Sequence, residues 1–534
     1  MLFAIVKTLL IAVGCTAAGA GCIRMLQAER YQIPALKKQM TRVGGLFMGL
    51  DVVIALVIAV LDWYLPVLLS MAIPQEAYRE TLCGWIVLGL FAVGAFVMFV
   101  QECRIPMRRS FTLTRRICRL IAVAFLLNLA AVLLLNLLGL TGYFLFAAVD
   151  YVVLLAALIM RPVEDKINAR FYKAARIKLD ARKNLVRIGI TGSYGKTQTK
   201  QILKSVLSEK YRVLATPPSF STAMGISRTI NEQLKPSHQI FIAEMGAQYK
   251  GDIKELVKLV RPQYGVITCV GKAHMDTFGS SENIAQTKFE LIQGLPAEGK
   301  AFFGADNSYG DRLYGMCKLE KYRAGVEEES GAYMNAHSIV VGVHGTRFEL
   351  ICDDGSHVWM KTRLLGRSSI MNIAVSAALA RQLGLSMEEI ARGVEKARPL
   401  RHRLELISDR YHIIDNSANT AHDAAIEALQ ILSQFPGRRI VVSLGYREQE
   451  ERLDVKIGAL ATQIAESADY VVLVDPEDSG MLSTALEERG FKPASVRCVN
   501  SEEAAETIVR EIASRGDSVL LEGLYLPLLD EDAE

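Results

Sequence analysis

The chain has 534 residues, enough for about three domains, with 51% hydrophobic residues, a mean hydropathy of +0.22 and a formal net charge of +4. The apolar excess argues against a purely soluble protein, and no nucleic-acid partner is expected. Nine scattered cysteines without a Cys-x-x-Cys pair argue against a disulfide framework or zinc site and fit a reducing compartment.

Five apolar stretches precede Arg161: Leu2–Ile23, Val43–Leu61, Leu82–Val100, Leu120–Leu138 and Tyr143–Met160. Each approaches the roughly 20 residues needed to cross a bilayer, so an α-helical membrane domain of about five spans is expected over residues 1–161. Arg24, Arg30, Lys37, Lys38 and Arg42 follow the first stretch, and Arg104, Arg108, Arg109, Arg115, Arg116 and Arg119 follow the third. Basic loops stay inside. The N-terminus is therefore expected outside, and everything after Arg161 in the cytoplasm. A cleaved signal at Ala12-Val-Gly-Cys15 is the rival reading, and it leaves the downstream part inside as well.

Residues 162–184 form a basic bridge whose Val163, Ile167, Phe171 and Ala174 recur at helical spacing. A helix lying on an anionic inner leaflet fits this pattern, as does a solvated connector. Alternating strands and helices follow. Leu185–Thr191 reads as a strand and Gln198–Glu209 as a helix, and the apolar runs Gln239–Ala243 and Gly265–Val270 end at polar residues. That is the pattern of parallel strands whose carboxyl ends carry a site. A second α/β set begins near residue 404, with strands at Tyr411–Ile414, Arg439–Leu444, Tyr470–Val474, Ser495–Val499 and Ser518–Leu521.

Between the first strand and helix stands Ile190-Thr-Gly-Ser-Tyr-Gly-Lys-Thr-Gln-Thr199. Its glycines let backbone N–H groups face phosphate oxygens, Lys196 supplies charge, and Thr197 offers a hydroxyl to Mg²⁺. The usual first glycine is replaced by Ile190. Glu244-Met-Gly-Ala247 follows an apolar run, where a carboxylate can reach a metal beside the phosphates. Thr268-Cys-Val-Gly-Lys-Ala-His-Met-Asp276 puts His274 at a strand tip, and Ile284-Ala-Gln-Thr-Lys288 presents a lysine from a helix.

This order of motifs resembles the Mur ligases, ATP-dependent amide-forming enzymes of cell-wall synthesis, and is nearest to their D-alanyl-D-alanine-adding branch. The resemblance spans residues 185–534. It implies a central P-loop domain over 185–402 and a Rossmann-like α/β C-terminal domain over 403–534. It further implies ATP and Mg²⁺, with a substrate carboxylate activated as an acyl phosphate that an amine then attacks. Catalytic roles are implied for Lys196, His274 and Lys288, and metal contacts for Thr197, Glu244, His274 and a carbamylated Lys288. Nucleotide contacts are implied for Gly192, Ser193, Gly195, Lys196, Thr197, Gln198, Asn307, Arg403 and Asp415.

The sequence also departs from the family pattern. Gly304 replaces an asparagine, Ser368-Ser369 a His-Asn pair, and Glu522 a lysine; the soluble nucleotide-sugar domain gives way to the apolar front end. The expected partners are a nucleotide- or lipid-linked cell-envelope precursor, an amino acid or dipeptide, the lipid bilayer, and cell-wall or export proteins. A membrane-bound poly-γ-glutamate-type synthetase and a P-loop ATPase coupled to transport are the alternatives.

Overall fold

The structure, a computed structural model, describes residues 2–28, 31, 47–70, 72–73, 75–104, 111–271, 275–304, 308–327, 331–408, 410–419, 422–445, 453–474 and 476–526. They divide into two compact units, Met1–Arg170 and Phe171–Glu534.

The first unit is helical, with helices Leu2–Ala18, Ala20–Ala28, Phe47–Leu68, Glu76–Arg104 and Arg115–Leu137. A 3₁₀ turn, Gly142–Ala148, then leads into the helix Val149–Asp180. Four segments are long and apolar enough to cross a membrane: Leu2–Ala28, Tyr78–Gln101, Arg115–Leu137 and Gly142–Asp180. The fifth expected span falls on Phe47–Leu68, whose fully described part, Val52–Leu68, is shorter. Phe91 anchors the interior, with ring centroids 5.2 Å from Tyr143 and 5.4 Å from Phe146. Lys7, inside the first apolar stretch, meets Asp62, which directly follows the second: Nζ lies 2.9 Å from Oδ1, and Thr141 donates to Oδ2 at 3.0 Å. Trp63, Val67, Phe96 and Leu134 point outward, a surface that water disfavours.

No break occurs at Arg161. The last apolar stretch and most of the basic bridge form one 32-residue helix with Pro162 inside it. Proline there removes one donor, and the remaining turns hold. The bridge buries Ala175 and Leu179 and leaves Val163 and Phe171 exposed.

The second unit holds two sheets. The first contains β1 (Val186–Thr191), β2 (Val213–Ala215), β3 (Ile240–Glu244), β4 (Tyr264–Ile267) and β5 (Lys300–Gly304). It continues with β6 (Glu320–Val326), β7 (Met334–Gly342), β8 (Gly345–Cys352) and β9 (His357–Thr362). Its order is β2-β3-β1-β4-β5-β6-β7-β8-β9, parallel through β7 and antiparallel over the last two pairs. From β1 the chain turns to one side for β3 and to the other for β4. That reversal opens a crevice at their carboxyl ends.

The second sheet contains β10 (Glu405–Ser408), β11 (His412–Asn416), β12 (Arg439–Ser443), β13 (Tyr470–Val474), β14 (Val496–Val499) and β15 (Ser518–Glu522). Its order is β10-β11-β15-β12-β13-β14, with only β10 antiparallel. The central strands are buried on both faces, as their unbroken apolar runs require.

Candidate active site

The phosphate loop leaves β1 at Thr191, in the crevice. Gly192 has φ +154° and Gly195 φ +78°, conformations that L side chains avoid. A Cβ on Gly192 would also stand 2.0 Å from Thr268 Oγ1, so the bend accepts glycine alone. Gly195 caps the helix Lys196–Leu207, whose first N–H groups lack partners within the helix and point into the bend. Lys196 Nζ arches over the loop and donates to the carbonyls of Gly192 at 2.7 Å and Ser193 at 2.9 Å. Burial holds the Lys196 amine below the usual lysine value, with Glu244 opposing the shift and Arg403 adding to it.

Glu244 ends β3 and pairs in register with Ile190 of β1. Its Oε1 accepts from Thr197 Oγ1 at 2.8 Å and its Oε2 from Lys200 Nζ at 2.7 Å, so the hydroxyl and carboxylate expected at one metal are brought together. A polar chain ties the loop to the helix Arg367–Gln382. Gln198 donates to Ser369 Oγ at 2.8 Å and accepts from Asn372 Nδ2 at 2.7 Å, while Thr199 donates to Asn372 Oδ1 at 3.0 Å. The two serines that stand for His-Asn thus both have partners, since Ser368 donates to Glu427 at 2.8 Å.

Lys288 lies buried on the helix Ser281–Gln293, its Nζ 5.8 Å from the Phe278 ring centroid. Burial, and then the charge of Lys196, push its amine down to about 7. Asp252 and Glu290 pull the other way, but they accept backbone N–H groups: Gln248 and Tyr249 on Asp252, Gly251 and Lys254 on Glu290. His274 and Asn307 lie outside the described residues. Gly304 is required where it stands, because a Cβ there would come within 2.5 Å of the Thr268 carbonyl.

Arg403 is exposed between two left-handed residues, His402 (φ +63°) and Leu404 (φ +48°). Asp415 is fully buried rather than open, with Oδ2 2.7 Å from His402 Nδ1 and Oδ1 accepting from Ser417 N at 2.9 Å. Lys200 escapes sequence reading, because it stands one helical turn after Lys196 and reads as an ordinary helix lysine. Asn372 closes the segment Gly366–Asn372 that resembles a family motif, and its bridging contacts emerge only in three dimensions.

Glu522 ends β15 and is buried; it accepts from Asn416 Nδ2 at 2.7 Å. Burial pushes its carboxyl up to about 8, opposed only by that hydrogen bond. The native state therefore holds the proton up to about pH 8, while the unfolded chain releases it above 4.5. Between those values unfolding releases a proton, so stability falls as pH rises and levels off above the native value. Glu522→Gln is expected to raise stability at neutral pH by about 3 kcal/mol. Melting temperatures of both proteins across a pH series check it, and the gap should close at acid pH.

A glycine-bent phosphate loop at the switch point of a parallel sheet, with a carboxylate on the adjoining strand, defines a nucleotide-dependent P-loop enzyme. Family models narrow the class. That of the Mur ligase middle domain matches residues 190–380, and that of the Mur ligase glutamate ligase domain matches residues 402–524. Together they span more than half of the chain, which belongs to the Mur ligase family of ATP-dependent amide ligases.

Among similar proteins, a UDP-N-acetylmuramoyl-tripeptide–D-alanyl-D-alanine ligase of Escherichia coli strain K12 is 28% identical over 345 residues, covering 62% of this chain and 75% of that protein. The ligase of the same name from Bacillus subtilis strain 168 is also 28% identical, covering 62% and 72%. MurF from Acinetobacter baumannii superposes with a TM-score of 0.60 at 24% identity, over 68% of this chain and 80% of that one. MurF from Thermotoga maritima in complex with ADP gives 0.57 at 24%, over 66% and 80%. These likenesses establish the fold. Mur ligases use ATP and Mg²⁺.

Proposed function

We propose that this chain is a membrane-anchored ligase that joins an amino acid or dipeptide to the carboxylate of a lipid-linked cell-envelope precursor at the cytoplasmic face. The observation that carries the reading is the Thr197–Glu244 pair beside the phosphate loop, in a chain with four segments able to cross a membrane. The basic loops after the first and third apolar stretches support an inward-facing catalytic unit. Residues 1–161, 185–402 and 403–534 are proposed as membrane, ATP-binding and C-terminal domains, with 162–184 as the bridge.

The residues present fit ATP and Mg²⁺. A hydroxyl and a carboxylate oxygen 2.8 Å apart are the hard oxygen donors that Mg²⁺ takes. Thr197 and Glu244 would hold one ion, and His274 with a carbamylated Lys288 a second. Bound there, Mg²⁺ neutralises charge on the phosphate oxygens. Gly192, Ser193, Gly195 and Lys196 would grip the phosphates, and Lys196 would stabilise the charge that develops on the transferring group. Gln198 orients the loop through Ser369 and Asn372. Asn307, Arg403 and Asp415 are proposed at the nucleoside end, where Asp415 would have to exchange a partner for the ribose.

A lysine amine at about 7 is neutral in a large fraction of molecules and can add CO₂, which turns a metal-repelling ammonium into a metal-binding carbamate. Isotope-labelled bicarbonate is expected to give a carbamate carbon signal above neutral pH, absent in Lys288→Met and fading as acid protonates the amine. No carbamate signal in the wild type would remove Lys288 from the metal site.

The substrate assignment is tested by mass spectrometry of envelope precursors from a deletion strain. A lipid-linked species lacking one amino acid or dipeptide is expected, and an unchanged lipid-linked pool sinks the proposal. The names of the relatives favour a second reading, in which the acceptor is a nucleotide-linked precursor and the amine is D-alanyl-D-alanine. The missing unit would then appear in the nucleotide-linked pool instead.

A further inference from the structure

Three strands of the second sheet end side by side. β11, β15 and β12 run parallel, and their register aligns Asn416, Glu522 and Ser443 at the carboxyl edge of the sheet's centre. Ligands of open parallel sheets sit outside that edge. All three residues are buried, and their connections are sparse. Glu522 takes one hydrogen bond, from Asn416, and among the described residues no lysine or arginine pairs with it. The Oδ1 of Asn416, fully buried, has no hydrogen-bond partner among the described residues. Ser443 Oγ accepts from Gly445 N at 3.1 Å and keeps its own hydrogen to donate or its second lone pair to accept.

A buried acid without a cation is costly, and the sheet does not need one. The strand neighbours Ile414, Val442 and Leu520 are aliphatic and fully buried. Among the described residues none supplies a countercharge to this carboxyl, which keeps its proton until a cation arrives. An alkylammonium supplies that charge, with three donors and no acceptor. Its donors match the acceptors this edge leaves over: Glu522, Asn416 Oδ1 and Ser443 Oγ.

We propose that Glu522 and Asn416 receive a cationic nitrogen on the amine substrate, a side-chain ammonium distinct from the amine that is acylated. The two nitrogens must differ. An amine attacks with its lone pair, and an ammonium held by a carboxylate has none. The amine substrate is therefore a diamino compound of the lysine or ornithine type, or a dipeptide carrying such a residue. This rests on the reading of the chain as an amide ligase, and it specifies one of that ligase's substrates.

The test uses the full chain in detergent, titrated calorimetrically with ADP and Mg²⁺, then with L-lysine or with L-norleucine, which has the same carbon chain without the terminal ammonium. Lysine is expected to bind at least about tenfold more tightly, as one charge-assisted hydrogen bond allows. Glu522→Gln should bring lysine to the level of norleucine and leave ADP binding unchanged, which also shows that the variant is folded. Equal affinities in the wild type, binding of neither, or undiminished lysine binding by Glu522→Gln overturns the proposal. The ADP titration separates the two levels. A wild type that fails to bind ADP counts against the ligase reading, whereas ADP binding without a lysine preference counts against the ammonium site alone.

Discussion

Lys196→Ala is expected to lower ATP turnover at least about a hundredfold, the loss typical when one preorganised charge or donor is removed from a transition state. The fold should survive, because Lys196 spends its hydrogen bonds on Gly192 and Ser193 of its own loop and joins no distant elements. Phosphate release by the solubilised protein with acceptor and amine present, set beside its melting temperature, reads both quantities. Retained turnover at unchanged stability would remove the loop from the chemistry. Arginine is a poor substitute here: its planar fork cannot repeat the compact geometry of an ammonium over two carbonyls.

The second large effect concerns Lys200. Its ammonium and the Glu244 carboxylate are both buried and 2.7 Å apart. Removing one partner of such a pair leaves an uncompensated charge, at a cost of about 3–5 kcal/mol. Lys200→Met is expected to destabilise the catalytic unit by that amount, and Glu244→Gln by a similar one. The double variant should recover most of the loss, since two neutral side chains leave no orphan charge. A double-mutant cycle by denaturant unfolding measures the coupling. Additive losses would mean that the pair is not coupled in solution. Turnover separates the residues further: the double variant regains stability but not activity, because a glutamine no longer offers a metal its charge.

The phosphate loop was the most legible part of the site. Glycines, a lysine and a threonine at fixed spacing have little use other than gripping phosphate, and Glu244 was readable because an acid closing an apolar run must face a strand end. The parallel strands were legible for the same physical reason: burial on both faces writes them as unbroken apolar runs, as in Arg439–Ser443 and Tyr470–Val474. The ribbon β7–β9 was not, because its half-buried strands alternate polar and apolar residues and its pairings are set by contacts far along the chain. The surroundings of Asp415 were not legible: His402 and Ser417, which each hold one of its oxygens, are brought to it only by the fold. The helical spacing of the basic bridge was legible, whereas its continuity with the preceding span was not, because Pro162 does not stop the helix. Lys200 was invisible, since a lysine on an amphipathic helix ordinarily faces water and only its pairing with Glu244 makes burial tolerable.

The junction around Arg403 determines which half of the catalytic unit owns that charge. His402 is fastened to the second sheet three times: its N–H to Glu405, its ring to Asp415, and its carbonyl to Ala418 N. With His402 and Leu404 both locked in left-handed backbone, the arginine has little freedom to reorient by itself. Any rotation of the second sheet carries Arg403 with it, while Lys196, which feels that charge, stays with the first. The field at the phosphate loop therefore depends on where the second sheet stands.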